Sequence, residues 1–108
     1  MSTQKSTVDF LLSQLEGLGD VTARAMFGEY ALYCDGKLVA LIADDHLYIK
    51  PSSASSEFER ECEYAPPYPG AKDSLCVPEE KCKDREWLEE AIRRTAEALP
   101  APKPKKAR

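Results

Sequence analysis

The chain has 108 residues, a net charge of −4 and 43% hydrophobic residues, as expected for one globular domain of ordinary size. No apolar run approaches the roughly 18 residues that a membrane-spanning helix needs. The N-terminus lacks the basic and apolar regions of a secretory signal. We therefore expect a cytoplasmic protein whose cysteines are reduced thiols rather than disulfides.

The charge is distributed unevenly along the chain. The last eight residues contain no acid and four basic residues: Lys103, Lys105, Lys106 and Arg108. Residues 1–100 carry eleven basic and nineteen acidic residues, a net charge of −8. An acidic body repels a phosphate backbone. The sequence therefore predicts one acidic domain over 1–100 and a disordered basic tail over 101–108, with the tail as the candidate nucleic-acid contact.

A helix followed by four strands is predicted for the first half of the chain. Residues 6–18 form an amphipathic helix with Ser6 or Thr7 as its cap, because apolar residues recur at helical spacing: Val8, Leu11, Leu12 and Leu15. Alternating and apolar segments then predict strands at 21–27, 30–34, 37–43 and 46–50.

Turn residues between these strands predict an antiparallel meander. Asp35 and Gly36 are typical of a tight hairpin turn with positive φ at both positions. Asp44 and Asp45 form a second turn, and Gly28 can bend or bulge the first strand.

The second half is predicted to contain two helices and one strand. Residues 53–63 read as a helix, 64–72 as a proline-rich loop and 74–78 as a strand. A helix over 78–99 carries Trp87 in its apolar stripe and strengthens near Asp84. The order α-β-β-β-β-α-β-α predicts a two-layer α+β fold with helices packed on one antiparallel sheet of about five strands. Four residues are expected to define this fold: Gly28, Asp35, Gly36 and Trp87.

The residues that could carry chemistry do not form a recognisable catalytic or metal site. The cysteines lack paired C-x-x-C spacing, and no phosphate-binding glycine motif is present. His46 has no identifiable nucleophile partner and reads as a solvated turn residue. Cys82, between two lysines, could have a lowered pKa. An enzyme or thiol sensor that uses Cys34, Cys76 or Cys82 is the weaker alternative. We expect no catalytic residues, metal or cofactor.

Two aromatic groups are candidates for binding. The loop that follows the predicted second helix combines tyrosines with prolines and can dock a partner or hold the last helix to the sheet, and both alternatives stay open: Tyr64, Pro66, Pro67, Tyr68 and Pro69. Tyr30, Tyr33 and Tyr48 could stack nucleic-acid bases, but the few basic residues among them favour packing within the fold.

Three consecutive blocks of the sequence resemble a known family. They are TARAMFGEYALYCDGKLVALIADDHLYIKP, APPYPGAK and DREWLEEAIRRTAEALP. Together they resemble the N-terminal domain of the TfoX/Sxy proteins, which regulate competence for DNA transformation, across roughly residues 8–99. In better-known members a second, helical domain follows, and we expect this chain to resemble the stand-alone members.

The resemblance implies an antiparallel α+β fold and a non-enzymatic role in transcription regulation. We expect a protein partner, with the transcription machinery as the candidate, and no membrane association. Nucleic-acid association through the tail and the sheet tyrosines is the alternative function. The sequence leaves open whether the chain forms a homodimer.

Overall fold

The computed structural model describes residues 3–26 and 29–99. Three α-helices and six β-strands follow one another along this part of the chain. In order they are α1 (Lys5–Gln14), β1 (Val21–Met26), β2 (Glu29–Cys34), β3 (Lys37–Ala43), β4 (His46–Ile49), β5 (Glu63–Ala65), β6 (Ser74–Val77), α2 (Glu79–Cys82) and α3 (Arg85–Ala98). Short 3-10 turns lie at Glu16–Leu18, Ser55–Glu57 and Glu59–Glu61. Among the described residues, no helix is long and apolar enough to cross a membrane.

The strands form one antiparallel sheet in the order β1-β2-β3-β4-β6-β5. The first four strands follow each other as a meander because two-residue turns connect β2 to β3 and β3 to β4. Asp35 and Gly36 have φ values of 53° and 80°, and Asp44 and Asp45 have 52° and 62°. Glycine adopts this left-handed region freely, and aspartate tolerates it better than most residues.

One face of the sheet forms the hydrophobic core. Leu32, Ala40, Ile49 and Leu75 lie opposite one another on successive strands, and all are at most 1% exposed. Residues of α1 and α3 pack against this row, among them Val8, Leu11, Leu88 and Ile92. The α+β fold with helices packed on an antiparallel sheet is therefore confirmed, with six strands where the sequence predicted about five.

The opposite face carries a second row of residues, Ala31, Leu41, Tyr48 and Cys76. In the part of the chain that the structure describes, no helix packs on this row, and its large side chains are only partly buried. We call it the helix-free face. On β3, Ala40 pairs with Leu32 and Leu38 pairs with Tyr33, so Val39 between them is the extra residue of a β-bulge. The bulge explains why the neighbours Val39 and Ala40 are both buried.

The predicted helix over 53–63 is wrong: two 3-10 turns and the start of β5 occupy this segment. The Ser52 hydroxyl accepts a hydrogen bond from the Ala54 N–H, and the Ser55 hydroxyl accepts one from the Ser52 N–H. Such local bonds from serine compete with helical hydrogen bonding. Phe58, between the turns, packs its ring edge-on against Trp87 at a centroid distance of 6.1 Å. The predicted strand at 74–78 is present as β6.

The helix predicted over 78–99 is two helices. α2 ends at Cys82, and Asp84 begins α3 by accepting a hydrogen bond from the Trp87 N–H.

The predicted capping of the first helix by Ser6 or Thr7 is also wrong. Gln4 occupies the N-cap position, and Asp45 supplies the acceptor: its Oδ1 atom lies 2.8 Å from the Gln4 nitrogen and 3.0 Å from the Thr7 hydroxyl.

Candidate functional site

The proline-rich segment folds against the helix-free face. We call residues 64–69 the proline ridge. The first two residues of the ridge are the last two of β5, and the chain then turns across the sheet. Pro67 is buried, and it lines the same pocket as Leu38, Leu41 and Tyr48 of the sheet. The pocket has a volume of about 290 Å³. The ridge therefore forms one wall of an apolar depression on the face that no described helix covers.

The ridge also presents aromatic surface to solvent. Tyr68 is 52% exposed and Tyr64 is 49% exposed, and both are among the three most exposed large hydrophobic residues of the described chain. The Tyr64 hydroxyl donates a hydrogen bond to Glu59 Oε1 at 2.8 Å, which fixes its ring. Pro66 and Pro69 are exposed beside them. The segment thus combines an anchored proline with displayed tyrosines. Because it folds against the helix-free face, whereas α3 packs on the core face, it does not hold the last helix to the sheet, and docking of a partner stays a prediction.

Charged side chains surround the pocket on both sides. Lys50 lies at the end of β4, and Lys72 and Asp73 follow the ridge. Each of the three is exposed. An apolar floor with a charged rim is the composition of many protein interfaces, where the apolar centre supplies affinity and the rim supplies specificity.

The residues proposed for nucleic-acid binding are not brought together. Tyr33 and Tyr48 lie on the helix-free face, whereas Tyr30 packs against the core on the opposite face. A base-stacking platform made from all three is therefore excluded by the strand register. The basic residues Lys103, Lys105, Lys106 and Arg108 lie outside the described residues.

A second depression lies between α1, the start of β4 and α2. It is an open groove of about 1050 Å³, and three of the four cysteines line it: Cys62, Cys76 and Cys82. Burial raises the pKa of Cys62 to about 11 and that of Cys82 to about 11, and it also raises the pKa of Cys76. The lowered pKa predicted for Cys82 is wrong, because burial disfavours the thiolate and the nearby Cys76 and Glu79 raise the pKa further.

Two polar side chains of this groove, His46 and Asp45, form hydrogen bonds within the fold. The His46 ring Nδ1 lies 2.7 Å from the Asp44 carbonyl oxygen, so this nitrogen carries the proton and donates it. The Asp45 carboxylate accepts hydrogen bonds from the Gln4 N–H and the Thr7 hydroxyl at the start of α1. Among the described residues, no group of three or more histidine, cysteine or acidic side chains is placed to hold a metal ion.

The raised thiol pKa values predict slow alkylation of the native protein. Well below pH 9, a thiol with a pKa of about 11 has about 100-fold less thiolate than one at its ordinary 9.0. We expect Cys62 and Cys82 to react with iodoacetamide at least about 100-fold more slowly in the native chain than in the denatured chain, with about tenfold faster reaction per added pH unit. Peptide mass spectrometry over time measures this. Equal rates in native and denatured protein would contradict it.

Three of the four residues expected to define the fold can be located. Asp35 and Gly36 form the turn between β2 and β3, and Trp87 packs between Phe58 and the Lys81 ammonium group, which lies 5.8 Å from its ring centroid. Gly28 lies outside the described residues.

The sequence reasoning did not single out Leu38 and Leu41 as pocket residues. The sequence carried no signal for them, because KLVALIA is apolar from position 38 to position 43 and the bulge in β3 breaks the alternation of its two faces.

Comparison with known proteins places this architecture among related chains. The TfoX N-terminal domain family matches residues 13–99. A Spirochaeta aurantia protein described as "Uncharacterized 12.7 kDa protein in trpE 5'region" is 41% identical over 108 residues. That alignment covers 100% of this chain and 93% of the Spirochaeta protein.

Proposed function

Because the chain belongs to the TfoX N-terminal domain family, we propose that it is a small non-enzymatic regulatory domain that acts through protein contacts. The resemblance to competence regulators suggests the transcription machinery as the partner class. One structural observation supports the proposal most directly. The proline ridge borders an apolar pocket on the helix-free face, and Tyr68 at its edge is half exposed.

The physical basis is the low entropic cost of binding to a rigid surface. Prolines restrict the backbone of the ridge before binding, and a tyrosine side chain has few rotatable bonds to immobilise. Pro67 is buried, so the ridge is held against the sheet in the free protein. A partner can insert an apolar side chain into the pocket and pack against the Tyr68 ring, while the charged residues of the rim orient it.

The charge of the domain favours a protein over nucleic acid as the partner. The helix-free face and its rim combine Arg24, Lys50 and Lys72 with Glu29, Glu63 and Asp73. This mixture gives no basic stripe that could follow a phosphate backbone. Nucleic-acid association through the tail is therefore the alternative outcome of the test.

We expect Tyr68→Ala to abolish capture of the partner from host lysate while changing the melting temperature little, because the side chain is half exposed. The full chain serves as bait, with and without nuclease, and captured proteins are identified by mass spectrometry. Phe10→Ala is the matched control, since Phe10 is 43% exposed but lies on α1 at the other depression.

Each result has a defined meaning. Capture that survives nuclease and is lost only in Tyr68→Ala supports the ridge as the contact surface. Loss only in Phe10→Ala would move the contact to the cysteine-lined groove. Capture that disappears with nuclease would favour nucleic-acid association, and removal of residues 101–108 would then test the tail.

A further inference from the structure

The two outer strands of the sheet differ in how well their edges are protected. β5 is three residues long and lies between a 3-10 turn and Pro66, so it offers little edge for another strand. β1 is six residues long, and on the strand's outer side no described strand pairs with it. Its sequence VTARAM contains no proline and one charge, Arg24. Natural proteins usually block an edge of this kind.

The hydrogen-bond pattern identifies which backbone groups of β1 point outward. The Asp35 N–H donates to the Asp20 carbonyl at 2.8 Å, so position 20 is bonded to the β2 side. Because bonding alternates along an antiparallel strand, Thr22 and Arg24 also bond to β2. Ala23 and Ala25 therefore direct their N–H and carbonyl groups away from the sheet, and their methyl side chains leave this edge open to close approach.

We propose that a second copy of this chain pairs with β1, antiparallel and centred on Ala23, to form a homodimer with one continuous sheet. In this register Ala23 of one copy lies opposite Ala23 of the other, and the two residues exchange both backbone hydrogen bonds. Ala25 lies opposite Val21. The sheet would contain the six strands of each copy, with the helices of both copies on the same side.

The charges of β1 select this register. Centring the pair on Ala23 places Arg24 opposite Thr22 of the other copy, with Asp20 and Arg24 of that copy on the two diagonals. The right-handed twist of the strands brings the diagonal to Asp20 closer than the diagonal to Arg24, so the carboxylate is the nearer charge. A shift of the centre to Ala25, the next position whose backbone groups point outward, would instead bring the Arg24 side chains of the two copies onto the closer diagonal, which is unfavourable. Of the ion pairs formed by the described residues, none includes Arg24. Two symmetric Arg24–Asp20 contacts would therefore form across the interface.

A charge swap tests the pairing and its register. Sedimentation equilibrium of the full chain should show a mass that rises with concentration toward twice 12.0 kDa. Arg24→Asp should weaken the dimer by about tenfold or more, because each new aspartate faces Asp20 of the other copy. The double variant Asp20→Arg with Arg24→Asp should restore it. Lys72→Asp makes the same change in net charge away from β1 and should have no effect.

A backbone variant tests the edge independently of charge. Ala23→Pro removes an N–H that points outward and leaves the pairing of β1 with β2 in place, so it should yield a monomer with a native circular dichroism spectrum. A wild-type chain that stays monomeric at every concentration would overturn the proposal. So would a dimer that persists in Ala23→Pro, or a double charge variant that is not restored. The ridge lies at the other end of the sheet, so failure here leaves the proposed function unaffected.

Discussion

Replacing Leu47 with alanine is expected to lower the free energy of unfolding by about 3 kcal/mol, since the substitution leaves a cavity in the centre of the core. Leu47 is 1% exposed and lies on β4, opposite Ile42 on one side and Val77 on the other. It belongs to the same cluster as the α1 and α3 residues that cover the sheet. Chemical denaturation followed by circular dichroism measures the change.

Leu41→Ala is the matched control for this prediction. The same leucine-to-alanine change is made on the neighbouring strand, but Leu41 points to the helix-free face and is only partly buried. We expect a loss of about 1 kcal/mol, in proportion to the smaller apolar area removed. Similar losses for the two variants would mean that the helix-free face is packed as tightly as the core, which would argue against a free binding surface there.

The second large effect is expected at Asp45, where alanine should cost about 2 kcal/mol. Two contributions combine. The carboxylate accepts bonds from the Gln4 N–H and the Thr7 hydroxyl, and so caps α1 from a distant turn. The φ value of 62° also disfavours alanine, which has no side chain suited to the left-handed region.

Asp44→Ala separates these two contributions. Asp44 has nearly the same backbone conformation, with φ of 52°, but among the described residues its carboxylate accepts no hydrogen bond. Its replacement should therefore report the backbone cost alone, and the difference between the two variants should be about 1 kcal/mol, the capping contribution. Thermal unfolding of both proteins provides the comparison. Equal losses would show that Asp45 acts only as a turn residue.

The meander could be predicted from sequence because its determinants are local. Alternating residues and the Asp35-Gly36 turn specify β2 and β3 without reference to the rest of the chain. The two α-helices that cover the core follow from apolar spacing in the same way. The sequence predicts the turn at Asp45 but not its contact with α1, because a helix cap supplied from 41 residues away leaves no local pattern.

Segment 53–65 could not be predicted because its structure depends on distant partners. β5 forms only against β6, where Glu63 pairs with Cys76 and Ala65 with Ser74. Phe58 and Cys62 have helical spacing, yet Phe58 is fixed by Trp87 of α3. The apolar pocket depends on the same contacts, since the ridge reaches Leu41 and Tyr48 only after β6 has joined the sheet.

The position of β6 between β4 and β5 has a consequence for the order of folding. The meander over 21–49 is made of contacts between neighbours in sequence and can assemble while the chain is still being synthesised. β5 leaves the ribosome next but has no strand to join until β6 follows. The pairing of Leu47 with Val77 closes a long loop, which slows folding. The proline ridge is therefore completed only after β6 has joined the meander.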